Sequence, residues 1–288
     1  MPETLADVVE SMDVQRLATG FQFTEGPLWH PDGYWLFVDT RPNLIFKLVP
    51  GGEPEVVREE SGRCNGLTFD LQGRLLMCEG YGRRVSRMEP DGAITTLVDS
   101  WDGKRLNRPN DIVGRSDGSI YFTDPGMDRV DEGPREMAFN GVFHVAPNGA
   151  ITPIVRDMEL PNGLAFSPDE TILYVANTRQ QKHIRAFDVH PDGSVSNGRI
   201  FADLTAGVGE GAPDGMKVDV EGRVYCTGPG GLWVFDSTGA HLGTIPVPET
   251  PSNCAWGGPD HRTMLITART SVYSVRMRTP GTMAPRAG

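Results

Sequence analysis

The sequence predicts an all-β six-bladed propeller, four antiparallel strands per blade, on three observations. One hairpin-like unit recurs six times along the chain. The recurrence runs at the forty-to-fifty-residue period of propeller blades, with most copies followed by a second strand pair. The last copy lacks a fourth strand, and an unassigned strand stands at the N-terminus.

The six copies, in order, are "TEGPLWHPDGYWLFVDT" from Thr24, "CNGLTFDLQGRLLMCEG" from Cys64 and "PNDIVGRSDGSIYFTDP" from Pro109, then "PNGLAFSPDETILYVANT" from Pro161, "PDGMKVDVEGRVYCTGP" from Pro213 and "SNCAWGGPDHRTMLITAR" from Ser252. Each is an apolar run, a polar turn and a second apolar run, the pattern of a β-hairpin. The second residue of each copy is a polar anchor: Glu25, Asn65, Asn110, Asn162, Asp214 and Asn253, at spacings of 40, 45, 52, 52 and 39. Gly33, Gly73, Gly118 and Gly222 stand eight residues after their anchors, where a hairpin turn needs positive φ. The outer strand pairs are legible in "RVSRMEPDGAITTLVD", "GVFHVAPNGAITPIVRD" and "GLWVFDSTGAHLGTIPV". After "SVYSVRMR" the chain runs out, so "DVQRLATG" near the start is expected to complete the last blade and close the ring, hiding sheet edges. A β-helix needs a shorter period, and a sandwich has no reason to repeat its strand-start residue. A single domain is expected over residues 1–288, with a lead of 1–12 and a tail of 279–288 outside the propeller.

Composition narrows the function. Hydrophobic residues at 38% and charged residues at 23% describe a globular chain with enough apolar surface for a large core. A net charge of -11, with no basic run interleaved with aromatics, argues against nucleic acid and against an anionic membrane surface. No apolar run is long enough to cross a bilayer, and the acidic start is not a secretory leader, so the expected location is cytoplasmic. Cys64, Cys78, Cys226 and Cys254 form no Cys-x-x-Cys pair and fall in or beside strands. They read as buried thiols in a reducing compartment.

Blades are radial, so the strand that opens each copy lines the central channel. Six equivalent anchors then become the wall of one pocket, with two carboxylates and four carboxamides. These are hard oxygen donors suited to Ca²⁺, Mg²⁺ or Mn²⁺, and to Zn²⁺ with fewer nitrogens than it prefers. Two carboxylates side by side without a counter-charge raise each other's pKa, a cost that a cation removes. At fourteen residues past the anchor come Asp39, Glu79 and Asp124, with Asn177 at fifteen in the fourth copy. They are expected at the same rim, binding a second cation, orienting the first ligands or bonding turn backbones.

The motifs "TEGPLWHPDG", "RPND", "PNGLAFSPDE" and "PDGMKVD" together resemble the gluconolactonase, senescence-marker-protein-30 and luciferin-regenerating-enzyme superfamily of six-bladed propellers, over about 14–277. The resemblance implies a metal-dependent lactonase with one divalent cation, Ca²⁺ first and Zn²⁺, Mn²⁺ or Mg²⁺ as alternatives, on Glu25, Asn162 and Asp214. It implies Asp214 as general base, with Asn110 and Arg108 contacting a small-molecule lactone. Asn65 is assigned to the same substrate-facing group, and Glu136 is the candidate for a further contact from the 126–138 segment, a candidate lid. Other esterases, phosphotriesterase-like enzymes and non-enzymatic calcium- or ligand-binding propellers share the fold and are the alternatives.

Three other signals carry less. "GRSDG" at Gly114–Gly118 fits G-x-S-x-G, but a nucleophile elbow needs a strand-to-helix turn and this is a hairpin turn. "TAGVGEGAPDG" lacks the lysine of a phosphate loop and is expected as a mobile loop over the pocket. The six histidines show no metal spacing.

Overall fold

A computed structural model of the chain describes residues 3–126 and 134–285. Its six blades are four-stranded antiparallel sheets set around one axis, and a two-stranded hairpin, Ser100–Trp101 with Lys104–Arg105, and a short helix, Leu5–Val8, stand apart from them. Blade 1 is Thr24–His30, Tyr34–Asp39, Leu44–Leu48 and Glu55–Arg58; blade 2 is Cys64–Phe69, Leu75–Glu79, Arg84–Met88 and Ile94–Val98. Blade 3 is Ile112–Gly114, Ile120–Asp124, Gly141–Val145 and Ile151–Val155; blade 4 is Pro161–Phe166, Ile172–Asn177, His183–Val189 and Val195–Asp203. Blade 5 is Met216–Val218, Val224–Gly228, Gly231–Phe235 and His241–Pro246. Blade 6 takes Pro251–Gly257, Thr263–Ala268 and Ser271–Arg276 from the C-terminal end and Gln15–Thr19 from the N-terminal end. That closure pairs Gln15 with Ser274 and Thr19 with Ser271, as the missing fourth strand predicts.

Packing between blades holds the ring. Among the described residues, six buried apolar clusters fall one to each blade interface. Trp29, Trp35 and Phe37 of blade 1 meet Ala255, Leu265 and Val272 of blade 6, so the joint between the chain's two ends is as apolar as the others. The second strands are sandwiched between neighbouring blades. Leu75–Glu79 and Ile120–Asp124 are buried at every residue, which explains their continuous apolar runs.

Where the innermost strands converge, backbone approaches backbone. A Cβ on Gly163 would lie 2.1 Å from the Asp214 carbonyl oxygen of the next blade, and one on Gly26 would lie 2.0 Å from the Asn65 carbonyl oxygen. Gly163 N–H donates to the Asp214 carbonyl at 3.0 Å, and Gly66 N–H to the Asn110 carbonyl at 2.7 Å. The Gly that follows an anchor is therefore a contact point of the ring, while the hairpin turn itself uses the Gly eight residues on, at φ of +89° in Gly33 and +88° in Gly118.

The anchors stand outside regular pairing. Register shifts follow Glu25, flank Asn65 and Asn162, and fall between Pro251 and Asn253. In blades 3 and 5 pairing begins only at Ile112 and Met216, two residues past the anchor. Such irregularities re-aim a side chain, here from the blade face into the channel.

The lead and tail, expected outside the propeller, pack onto it. Val9 bridges to Met277 and Asp219 to Gly281, and Thr282 N–H donates to the Val218 carbonyl. Gly281 lies so close to the Trp256 ring that no side chain fits between them. The "TAGVGEGAPDG" loop, expected to be mobile over the pocket, is tied down beside blade 5. Gly230 N–H donates to the Glu210 carbonyl, and Lys182 Nζ to the Gly211 carbonyl at 2.8 Å. Most of the candidate lid, residues 127–133, lies outside the described residues.

Gly163→Ala is expected to destabilise the fold by about 3 kcal/mol, because the obstacle is backbone that cannot swing aside. Gly149→Ala meets nothing nearby and should cost about 1 kcal/mol through its positive φ alone. Urea melts of both variants check the ranking; equal losses would mean the ring contact is slack.

Candidate functional site

The channel holds a cavity of about 630 Å³ lined by Phe23, Glu25, Thr40, Arg41, Arg63, Asn65, Gly80, Arg108, Pro109, Asn110, Leu160, Asn162, Thr178, Arg179 and Asp214. Five of the six anchors stand on this wall. The sixth, Asn253, is buried behind it and acts on its neighbours. Its Nδ2 donates to Glu25 Oε2 at 3.1 Å and reaches Asp111 Oδ2 at 3.4 Å, while its Oδ1 accepts from Cys254 N–H at 2.8 Å.

Glu25 is almost wholly buried. Burial pushes its carboxyl up to about 7 against the donated Gly26 N–H, with the charge of Asp111 adding to the rise. Asp214 is half-buried, its outer face open to the cavity. Its surroundings are dense enough that desolvation, then Glu25 and Asp111, still raise it well above the usual carboxylate range. Asp111 is raised by burial too, with Lys217 opposing. Two carboxyls, Glu25 and Asp214, therefore face one cavity with a third, Asp111, buried behind them, and Lys217 is the cation that opposes the crowding.

The carboxamides complete an oxygen-rich set. Asn162 Nδ2 donates to Thr178 Oγ1 at 2.9 Å, and Thr178 donates on to the Pro213 carbonyl at 2.8 Å. The Asn162 side chain also bonds the Asp214 carboxyl. With its nitrogen so used, Asn162 keeps Oδ1 for a ligand. Asn65 Oδ1 is buried with no hydrogen-bond partner among the described residues, an orphaned acceptor where a ligand would satisfy it. Oxygen donors, an orphaned oxygen and carboxylates that repel one another are the chemistry of a hard-cation site. Glu25, Asn162 and Asp214 fit the role expected of them, and Zn²⁺ is the poorer fit because no histidine or cysteine lines the wall among the described residues.

Three of the four outer positions bond turn backbones, one of the uses expected of them. Asp39 accepts the Gln22 and Phe23 amides at 2.8 Å each, Asp124 accepts the Asn107 amide at 2.7 Å and the Arg108 amide, and Asn177 Oδ1 accepts the Leu160 amide at 2.9 Å. Each thus pins the backbone just before its own anchor. Glu79 instead pairs with Arg84 at 2.8 Å and bonds Ser86. Burial raises Asp124 to about 7 against its two amide bonds.

Arg108 and Asn110 line the cavity as expected, and so does Asn65. Glu136 does not: its carboxylate accepts the Arg105 amide at 2.8 Å and pairs with Arg83 at 3.8 Å, away from the described wall. Nor is the wall free of cationic groups, as reading the anchors alone implied. Arg41, Arg63, Arg108 and Arg179 all reach it, from positions two before an anchor or two after the end of a second strand. Asp111 was also missed. It occupies the column where four of the six copies have Gly, and that break in the repeat was its signal.

The set-aside signals stay set aside. Ser116 of "GRSDG" sits in the turn between Ile112–Gly114 and Ile120–Asp124, bonded to Glu170. All four cysteines are buried and free, with thiols pushed up by burial, Cys254 to about 12. No helix among the described residues is long and apolar enough to cross a membrane.

Residues 23–270 match the family model for the SMP-30/gluconolactonase/LRE-like region. A gluconolactonase of Zymomonas mobilis is 32% identical over 94% of this chain and 83% of its own. The solved gluconolactonase of Xanthomonas campestris superposes with a TM-score of 0.87 at 33% identity, over 96% of this chain and 94% of that one. A calcium-binding protein, regucalcin, from Agrobacterium tumefaciens shares the fold, with a TM-score of 0.79 at 21% identity over 97% of this chain and 96% of that one.

A carboxyl raised in the folded state holds its proton longer there than in the unfolded chain. In cation-free protein Glu25 thus favours folding below its ordinary pKa of 4.5, and that contribution is lost as pH rises through about 7. Thermal melts across this window should show wild type losing stability relative to Glu25→Gln, and saturating Ca²⁺ should remove the loss. A difference that ignores both pH and Ca²⁺ would contradict this electrostatic account.

Proposed function

The chain belongs to the SMP-30/gluconolactonase/LRE-like family, and from that premise we propose that it is a lactone-hydrolysing enzyme. The finer reading is a metal-dependent hydrolase of sugar lactones or related small lactones, with Glu25, Asn162 and Asp214 holding one divalent cation, Ca²⁺ foremost. The observation that carries it is the convergence of these three side chains, from blades 1, 4 and 5, on one polar cavity. The family's gluconolactonases make a lactone the substrate class to expect.

When bound, the cation supplies a positive charge that polarises a carbonyl oxygen and acidifies water. The protein's own groups do the rest. Asp214, which faces the cavity, takes a proton from the attacking water as general base. The water oxygen bonds the lactone carbonyl carbon, and the ring acyl–oxygen bond breaks. The ring oxygen leaves as an alkoxide and recovers the proton, giving a hydroxy acid. Asn110 and Arg108 donate to substrate oxygens and fix the ring. Arg108 is held to the task by the bond from its amide to Asp124. Asn253, from behind the wall, and Thr178, on it, keep Glu25 and Asn162 turned into the cavity.

Asp214→Asn keeps shape and removes the base, so kcat/KM should fall about a thousandfold with KM less affected. A pH-indicator assay on aldonolactones, γ-butyrolactones and aryl esters reads this. Chelation should abolish turnover and added Ca²⁺ restore it; full activity after chelation would end the metal reading. Ca²⁺ binding with silence across the whole panel would favour a ligand-binding propeller instead.

A further inference from the structure

The four arginines on the cavity wall come from only two kinds of position. Arg63 and Arg108 each stand two residues before an anchor, in blades 2 and 3. Arg41 and Arg179 each stand two residues past the end of a second strand, in blades 1 and 4. Aromatic rings support two of them: Arg41 lies over Phe23 at 5.7 Å and Arg63 over Tyr81 at 5.2 Å. Asp39 fastens the amide of Phe23, the ring beneath Arg41, and Asp124 fastens the amide of Arg108 itself. The result is a cationic arc over blades 1 to 4, facing Asp214 of blade 5.

This arc is out of character with a chain whose overall net charge is -11. Four guanidiniums and two carboxylates, Glu25 and Asp214, stand on the described lining, so cationic side chains outnumber anionic ones there. A guanidinium offers five N–H donors and no acceptor. A neutral polyol presents both donors and acceptors, so a wall of guanidiniums serves it poorly. A carboxylate or phosphate presents acceptors alone and matches the planar fork.

We propose that this pocket takes a lactone bearing a second, anionic group, a carboxylate or a phosphate, which the arginine arc binds while the acidic side faces the ester. The inference rests on the lactonase reading of the same cavity and names its substrate class. Arg41 and Arg179, exposed at the mouth, capture the anion, while Arg63 and Arg108, half-buried, orient it.

The test compares gluconolactone, glucarolactone and phosphogluconolactone as substrates at low and high salt. One anionic lactone should show a kcat/KM about tenfold or more above the neutral one, mostly through KM, with the advantage shrinking in salt. Which of the two wins separates carboxylate from phosphate. Arg41→Gln and Arg179→Gln should each cut the anionic-to-neutral ratio about tenfold, the loss expected of one charge-assisted hydrogen bond. A neutral lactone opened as fast as both anionic ones, with a ratio unmoved by the substitutions, would overturn the proposal and leave the lactonase reading standing. If no lactone is opened, that reading and the substrate class fail together. Calorimetry with sorbitol phosphate against sorbitol then decides whether the arc binds anions. Tighter phosphate binding that both substitutions weaken would retain the anion site, and equal affinities would remove it.

Discussion

Every side chain in the pocket depends on six inner strands being drawn together until backbone meets backbone. Propeller blades taper toward their axis, and at the taper there is no room for a Cβ. Gly26, Gly66, Gly163 and Gly215 follow four of the six anchors, and each sits against the neighbouring blade's anchor segment. The glycine removes a side chain where the ring must close. The residue before it, freed from the ladder by a bulge or a late strand start, turns its own side chain inward. Architecture and site are thus one repeated dipeptide. Glu25–Gly26, Asn162–Gly163 and Asp214–Gly215 supply the three proposed ligands, and each ligand is fixed in height because its glycine is fixed in contact.

This coupling explains what was legible in the sequence. The hairpins, the six blades and the borrowed strand of blade 6 follow from alternation, turn glycines and a missing strand, all local signals. The convergence of the anchors followed because equivalent positions on a closed ring share a height. What escaped were residues at other offsets. Arg41, Arg63 and Arg179 occupy columns that in other blades hold Phe23, Leu160 or Tyr81, and each column is arginine in only two blades, too few to stand out as a repeat. Asn253 looked like one more wall residue; only side-chain geometry shows it bridging Glu25 and Asp111 behind the wall. Glu136 sat close in sequence to the pocket loops yet turns to Arg83 and the Arg105 amide, a contact between residues 31 positions apart that no local pattern encodes.

The outer acidic positions separate two uses of one residue type. Asp39 and Asp124 spend their carboxylates on amides just before the anchors, where a charged acceptor is worth more than a neutral one. Their function is to hold Phe23 and Arg108 in place. Glu25 and Asp214 are not so spent. Glu25 receives one neighbouring amide and one carboxamide, too little to offset the burial that lifts it to about 7. Burial lifts Asp124 to about 7 as well, so the rise alone does not separate the two uses; place does, with Asp39 and Asp124 turned to backbone amides and Glu25 and Asp214 turned to the cavity.

The cavity then divides by side. Glu25 and Asp214, with Asp111 buried behind them, make one side of it acidic, which favours a small multivalent cation over an organic anion. Arginines from blades 1 to 4 make its rim basic, which favours an anion over a second cation. A molecule able to satisfy both must offer a polarisable oxygen at one end and negative charge at the other. Those two demands fall on different positions of the repeat, the anchors on one side and the residues flanking the first and second strands on the other. Changing the rim therefore alters which ester is admitted, and the ring contacts that position the acidic side need not move.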